Sequence, residues 1–177
     1  MGIFSLQPFA PNGNFPSLEI KVQLSRQSNS VALSYSILGP VDEIEIPPLA
    51  STPLRKSGLW EETCVEFFLA VNHSGRYWET NLSPSGHWNV YRFSDYREGM
   101  QEEAAFTSLP LRVGRREDSF VLDVELDLNR IIPPQSPLHV GISAVIRLRS
   151  NQRTYWALIH PGQKPDFHHR DSFIARL

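Results

Sequence analysis

Apolar and polar residues alternate along most of the chain, in short runs that have the length of β-strands. The run "LEIKVQLSR" (18–26) places an apolar residue at every second position. This two-residue period is typical of a strand with one buried face. The turn "QSNS" separates it from a second run, "VALSYSIL" (31–38). Together the two runs predict a β-hairpin.

Comparable runs continue to the end of the sequence. The further predicted strands are EIEI (43–46), TCVEFFLAV (63–71), RYWETNLS (76–83), HWNVYRF (87–93), LRVGRR (111–116), FVLDVELDL (120–128), LHVGISAVIRL (138–148), TYWALIH (154–160) and DSFIARL (171–177). Fourteen prolines leave little room for helices. The best helix candidate is 96–106, although Gly99 interrupts it, and one helical turn fits 127–132.

The pattern predicts an all-β protein, an antiparallel β-sandwich of the jelly-roll or immunoglobulin-like kind. We expect about 10–12 strands and little or no helix. Residues 1–177 show no internal repeat or linker, so a single domain is expected. The oligomeric state is not indicated by the pattern.

Composition narrows the class of protein further. The formal net charge of −2 and the absence of a basic stripe argue against a nucleic-acid partner. No apolar run reaches the roughly 20 residues of a membrane-spanning helix, so no membrane partner is expected. The N-terminal stretch has no secretory pattern, and Cys64 is the sole cysteine. These features predict a cytoplasmic protein without an internal disulfide.

The most apolar predicted strand contains a carboxylate, Glu66. By its alternation, Glu66 shares a face with Cys64 and Phe68. If the next two strands are neighbours, Glu79, Asn81 and Asn89 join it in one polar patch beside Tyr77, Tyr91 and Trp60. A polar stripe is often just the solvent-facing side of a sheet. Here, however, it carries carboxylates, amides and aromatic rings and has no lysine.

This set of side chains suits a sugar. Carboxylates and amides form directed hydrogen bonds with hydroxyl groups, and flat rings pack against the apolar faces of a pyranose. An unpaired buried carboxylate would be costly. Glu66 is therefore expected to meet either a cation such as Arg147 or the hydroxyl groups of a ligand.

Two long segments resemble a known family. They are "GLWEETCVEFFLAVNHSGRYWETNLSPSGHWNVYRF" (58–93) and "YWALIHPGQKPDFHHRDSF" (155–173). The first segment contains, in order, a Trp, a strand with a Glu, the motif Tyr-x-Glu-x-Asn and the motif Ser-Pro-x-Gly. In this it resembles DOMON-like proteins of the family 9 carbohydrate-binding-module superfamily. The resemblance implies an antiparallel sandwich with a ligand site on one sheet surface, for a sugar or haem.

The resemblance also implies which residues hold a sugar. Two tryptophans clamp the ring in sugar-binding members, and Trp60 matches the first by position while Trp156 lies on a late strand like the second. Glu66 matches a binding glutamate by spacing, and Arg147 is a candidate arginine. With Glu79 and Asn81 from the polar patch, these form the expected ligand-binding set. The expected function is non-catalytic binding of a small carbohydrate-like ligand.

Several alternatives stay open at this stage. The domain could be a structural or protein-interaction module that has no ligand. Haem would need His or Met ligands and an apolar cavity, whereas Met100 lies in a polar segment. No cofactor is therefore expected. The histidine-rich tail contains His160, His168, His169 and Asp171, which suit either a metal site or, as we favour, a polar loop that hydrogen-bonds to the sandwich. Glu66 and Glu79 also have the residue type of a glycosidase pair, although no catalytic residue is expected.

Overall fold

The computed structural model describes residues 1–9 and 17–177, and strands dominate this part of the chain. Its three helices are single 3₁₀ turns at Val41–Glu43, Leu59–Glu61 and Arg170–Ser172. In chain order the strands are β1 (Gly2–Ser5), β2 (Gln7–Pro8), β3 (Glu19–Gln27), β4 (Ser30–Leu38), β5 (Cys64–Val71), β6 (Tyr77–Leu82), β7 (Trp88–Phe93), β8 (Gln101–Glu102), β9 (Leu111–Arg115), β10 (Ser119–Asp127), β11 (Leu138–Arg147), β12 (Arg153–Ala157) and β13 (Ala175–Arg176).

The strands form two antiparallel sheets. The smaller sheet has the order β1-β3-β4-β10-β9, and the larger has the order β2-β12-β11-β5-β6-β7-β8, with β13 paired to β11. The predicted hairpins 18–38 and 111–128 are present as β3–β4 and β9–β10. The all-β, sandwich-like fold expected from the alternation is therefore confirmed.

The main core lies between the two sheets and follows from the period-2 pattern. The apolar face of β3 contributes Ile20, Val22 and Leu24, and all three are almost fully buried. Val65 and Phe67 of β5 enter the same core from the larger sheet. Tyr35 of β4 joins the sheets directly, because its hydroxyl donates a 2.7 Å hydrogen bond to the backbone oxygen of Glu66.

A second, smaller apolar cluster covers the opposite face of the larger sheet. Its members come from β5, β6, β7 and the C-terminal segment: Phe68, Ala70, Tyr77, Tyr91, Phe93 and Phe173, with Trp60 and Phe167 packed against them. Strands β5 to β7 are therefore covered on both sides. This explains why their sequences lack the simple apolar–polar alternation of β3.

The sequence reading of residues 96–106 as a helix is wrong. Arg97 and Gly99 both have positive φ angles, of 55° and 64°, which no α-helix accommodates. The backbone instead turns back on itself and leads into the short strand β8. The expected strand 43–46 is reduced to one bridge, between Ile44 and Leu148, and residues 127–132 form a turn. No helix among the described residues is long and apolar enough to cross a membrane.

Gly141 of β11 allows the C-terminal segment to pack closely on the larger sheet. A Cβ atom at this position would come within 2.6 Å of the Phe173 ring. Gly141→Ala should lower the free energy of unfolding by about 1–3 kcal/mol, because a rigid ring must move to make room. Gly114→Ala is a matched control, since a Cβ there meets nothing within 4 Å. Denaturant unfolding of both variants tests this, and equal midpoints would contradict it.

Candidate functional site

A cavity of about 340 Å³ opens on the outer face of the larger sheet, away from the main core. Its volume lies in the range of small-molecule sites. Strands β5, β6, β11 and β12 provide its floor, and the loop after β7 and the C-terminal segment provide its walls. The lining residues are Trp60, Glu66, Glu79, Arg97, Met100, Val145, Arg153, Tyr155, Pro165, Phe167 and His168.

The pairing of β5 with β6 brings the predicted polar residues onto one surface. Glu66 lies opposite Asn81, and Glu79 lies opposite Phe68. Glu66 and Glu79 are therefore diagonal neighbours on the same face of the sheet. Asn89 follows in register beside Asn81 on β7. The polar patch expected from the alternation is present.

Trp60 stands at one side of this patch. It lies in the 3₁₀ turn Leu59–Glu61, which begins after Gly58, a residue with a left-handed φ of 74°. The Trp60 ring packs edge-on against Tyr91, with 5.9 Å between ring centroids. The Trp60 side chain is only partly buried and lines the cavity, so part of it is accessible to a ligand.

Glu66 is 3% exposed, and its Oε1 atom has no hydrogen-bond partner among the described residues. Burial raises the pKa of Glu66 well above its usual value, and the nearby Glu79 carboxylate raises it further. The Ser143 hydroxyl and the Arg97 guanidinium oppose this shift in pKa. Ser143 Oγ does not have hydrogen-bonding geometry, however, and is itself without a partner. The carboxyl of Glu66 is thus incompletely satisfied by the described part of the chain.

Glu79 is also buried, but it is better supported. The side-chain amide of Asn81 donates a 2.9 Å hydrogen bond to Glu79 Oε1. Burial nevertheless raises the pKa of Glu79 to about 7, against the lowering effects of Asn81 and Arg97. Asn81 is fully buried and does not line the cavity, so its observed role is to orient Glu79.

His168 faces Glu79 from the C-terminal segment. Its Nε2 atom lies 3.8 Å from Glu79 Oε2, and its Nδ1 atom lies 2.8 Å from the Tyr77 hydroxyl. That hydroxyl already accepts the backbone N–H of Arg97, so its own proton is directed to Nδ1. Burial lowers the pKa of His168 to about 4. Near neutral pH the imidazole is therefore uncharged, with its proton on Nε2.

An ion pair joins the two walls of the cavity. Arg97, in the loop after β7, is 2.8 Å from Asp166 in the C-terminal segment. The Tyr96 hydroxyl donates a 2.5 Å hydrogen bond to the same carboxylate. These contacts fix the walls relative to each other and occupy Arg97, which would otherwise be the natural counterion for the glutamates.

Three of the six expected binding residues do not line the cavity: Asn81, which supports Glu79, Arg147 and Trp156. Arg147 is bound to Glu62 and lies 3.0 Å from Glu45, so it does not pair with Glu66. Trp156 is 3% exposed and packs in the core between the sheets, where its indole N–H donates to Thr154. On β12 the alternation directs Arg153 and Tyr155 outward, and these residues line the cavity.

The sequence analysis missed most of the residues that form the walls. Arg97 and Met100 come from the supposed helix, and Pro165 and Phe167 come from the C-terminal segment. The alternation of β12 was a usable signal for Arg153 and Tyr155, whereas nothing in the local pattern pointed to Arg97. The hydrogen bond of His168 to Tyr77 fits the polar-loop interpretation of the tail.

No group of three or more metal-ligating side chains was found in residues 1–9 and 17–177. His160 contacts the Gln7 backbone oxygen, and His169 accepts the backbone N–H of Asp171. Cys64 is fully buried, and burial, together with Glu66, raises the pKa of its thiol well above the usual value. A thiol in this environment packs and does not act as a nucleophile.

Comparison by sequence finds no matching protein-family model and no matching curated protein. Comparison of structures does find similar proteins. One is described as a "putative carbohydrate-binding protein" from Bacteroides uniformis; the TM-score is 0.71 at 13% identity, over 98% of this chain and 84% of the other. Another is a family 9 carbohydrate-binding module from Caldicellulosiruptor kristjanssonii in complex with glucose, with a TM-score of 0.55 at 13% identity, over 93% of this chain and 78% of the other.

At this level of identity the likeness concerns the fold. The chain has a fold similar to that of family 9 carbohydrate-binding modules, as the resemblance in sequence implied. The more specific DOMON-like assignment stays a prediction.

The raised pKa of Glu79 predicts a dependence of stability on pH. The folded chain keeps a proton on Glu79 between pH 4.5 and about 7 that the unfolded chain releases, so the stability contributed by this group falls as the pH rises through that interval. His168 acts in the opposite direction between about pH 4 and 6.5. The effect of Glu79 is therefore isolated by comparing Glu79→Gln with the wild type.

We expect Glu79→Gln to gain stability relative to the wild type as the pH rises from 5 to 8, by on the order of 2–3 kcal/mol. Urea unfolding at several pH values measures this difference. The titratable or charged groups that interact with Glu79 are Cys64, Glu66, Tyr77, Tyr91, Arg97 and His168. Glu125→Gln, at an exposed position of β10, controls for the loss of a carboxylate. A difference that does not vary with pH would refute the assignment.

Proposed function

We propose that this protein binds a small carbohydrate, without altering it chemically, in the cavity on the outer face of the larger sheet. The observation that carries the proposal is the combination of an accessible indole and two buried carboxylates around one cavity of about 340 Å³. A sugar ring has an apolar face and a rim of hydroxyl groups, and this cavity offers a partner for each.

Four of the lining residues contact the sugar under this proposal. Trp60 packs against the ring of the sugar, and Glu66 and Glu79 accept hydrogen bonds from its hydroxyl groups. Arg153, an exposed residue that lines the cavity, donates hydrogen bonds. Asn81 holds Glu79 in position from below. Arg147 and Trp156 take no direct part, because one is bound to Glu62 and the other lies in the core.

The fold comparison supports the same proposal. The similar protein from Bacteroides uniformis carries a carbohydrate-binding description, and the similar module from Caldicellulosiruptor kristjanssonii was solved with glucose. These ligands belong to those proteins, and they supply the first sugars to try here.

A structural module without a ligand is the main competitor. In such a module we would expect Glu66 to be paired with an arginine inside a filled core. Instead Arg147 pairs with Glu45 and Glu62, and Glu66 lines a cavity together with Trp60. This arrangement favours a site that is completed by a ligand.

Haem binding is less well supported by the same cavity. Met100 and His168 both line it. However, Nδ1 of His168 is bonded to Tyr77 and Nε2 faces Glu79, so neither nitrogen is directed at an open ligand position. Protein produced with haem supplied should therefore show no Soret band.

The stacking role of Trp60 can be tested with neutral sugars. Isothermal titration calorimetry with glucose, galactose, mannose and short gluco-oligosaccharides should identify a binder, and Trp60→Ala should weaken its binding roughly tenfold because the stacking surface is lost. Trp60→Phe keeps a ring and should recover part of the affinity. Chromatography of the ligand after incubation should return it unchanged. Wild-type affinity in Trp60→Ala, or no binding of any sugar, neutral or charged, would count against the proposal.

A further inference from the structure

The two glutamates that line the cavity have no cationic side chain paired with them alone in the described part of the chain. Glu66 and Glu79 form part of the floor, and Arg97 and Arg153 are the two guanidinium-bearing residues in its lining. Arg97 is already paired with Asp166 at 2.8 Å. Arg153 is exposed, and water screens its charge. The two buried glutamates therefore lack a counterion of their own.

The nearest alternatives do not supply this counterion. No ion pair joins Glu66 to a cationic side chain of the described residues, and its Oε1 atom has no hydrogen-bond partner there. Arg147 is taken by Glu45 and Glu62. His168 lies 3.8 Å from Glu79, but its burial keeps it uncharged near neutral pH.

Two buried carboxylates in one cavity repel each other and lose their hydration. The raised pKa values of both groups are the consequence of this cost. A ligand that brings a positive charge would offset it. A primary ammonium group suits the site because it is compact and has three donors, which match several carboxylate oxygens. A metal ion is a poorer fit, since no group of three or more ligating side chains was found among the described residues.

We infer that the ligand is an amino sugar, with its ammonium group held by Glu66 and Glu79 and its ring packed on Trp60. This inference rests on the proposed function, because it names the class of sugar that the same cavity takes. It differs from a neutral-sugar site in requiring a positive charge on the ligand. The Trp60 surface supplies the affinity for the ring, and the two carboxylates supply the selectivity.

Three related sugars test the inference directly. Glucosamine carries the charge, N-acetylglucosamine keeps the nitrogen without the charge, and glucose has a hydroxyl instead; galactosamine, N-acetylgalactosamine and galactose repeat the comparison. At a pH of about 6.5, below the pKa of an ordinary amine, calorimetry should show the amino sugar binding roughly tenfold or more tightly than either neutral relative.

Variants of the glutamates give a matched control. Glu66→Gln keeps the size of the side chain and removes its charge, so the preference for the amino sugar over glucose should fall towards one. Glu125→Gln removes an exposed carboxylate from β10 of the smaller sheet and should leave the preference unchanged. Circular dichroism confirms that each variant is folded.

Proton release is an independent measure of the same interaction. An ammonium group favours the ionised forms of Glu66 and Glu79, so binding of glucosamine should release protons near pH 6.5, whereas glucose should release fewer. Titrations in two buffers with different ionisation enthalpies measure this number. Glu66→Gln should reduce it.

The outcomes separate the two proposals. Equal or tighter binding of glucose and N-acetylglucosamine would overturn the amino-sugar inference while leaving carbohydrate binding in place. Binding of ethanolamine as tightly as glucosamine would show that the ring contributes nothing, and this would overturn both. No binding of any sugar, charged or neutral, would also overturn both. Selective binding of the amino sugars that is lost in Glu66→Gln supports both.

Discussion

The burial of Glu66 is the constraint on which the architecture of the site depends. Strand β5 packs into the main core through Val65 and Phe67, so its opposite face must carry Glu66. That face is covered in turn by the second apolar cluster and the C-terminal segment. The carboxyl is consequently held in a buried environment that the described chain does not fully satisfy, and this gives the cavity its chemical character.

A few specific contacts hold the segments that surround the cavity. Arg97 and Asp166 join the loop after β7 to the C-terminal segment, and Tyr77 holds His168 against the sheet. Gly141 lets Phe173 approach closely enough to anchor the same segment. Because these elements are far apart in sequence, the shape of the cavity depends on tertiary packing. Its chemistry depends mainly on β5 and β6.

The sequence analysis was most successful where one strand could be interpreted alone. The period of two predicted that Glu66 and Glu79 share one surface if their strands are neighbours, and β5 does pair with β6. The sequence analysis was least successful for residues whose role depends on which face of a strand they lie on or on which side chain they pair with. Trp156 was chosen because it lies on a late strand, although the alternation of β12 assigns it to the core and Tyr155 to the cavity. Arg147 was chosen for its charge, without knowledge that Glu62 lies beside it.

By itself the sequence determined the long sheet-forming segments, the two hairpins and the shared face of the two glutamates, because each depends on alternation over a few residues. Only the tertiary structure decided which groups surround those glutamates. Arg97 and His168 reach the cavity from segments whose local patterns suggested a helix and a polar loop. The physical reason is that the alternation of side chains along a strand is local, whereas the pairing of charges and the closing of a cavity require contacts between segments that are distant in the chain.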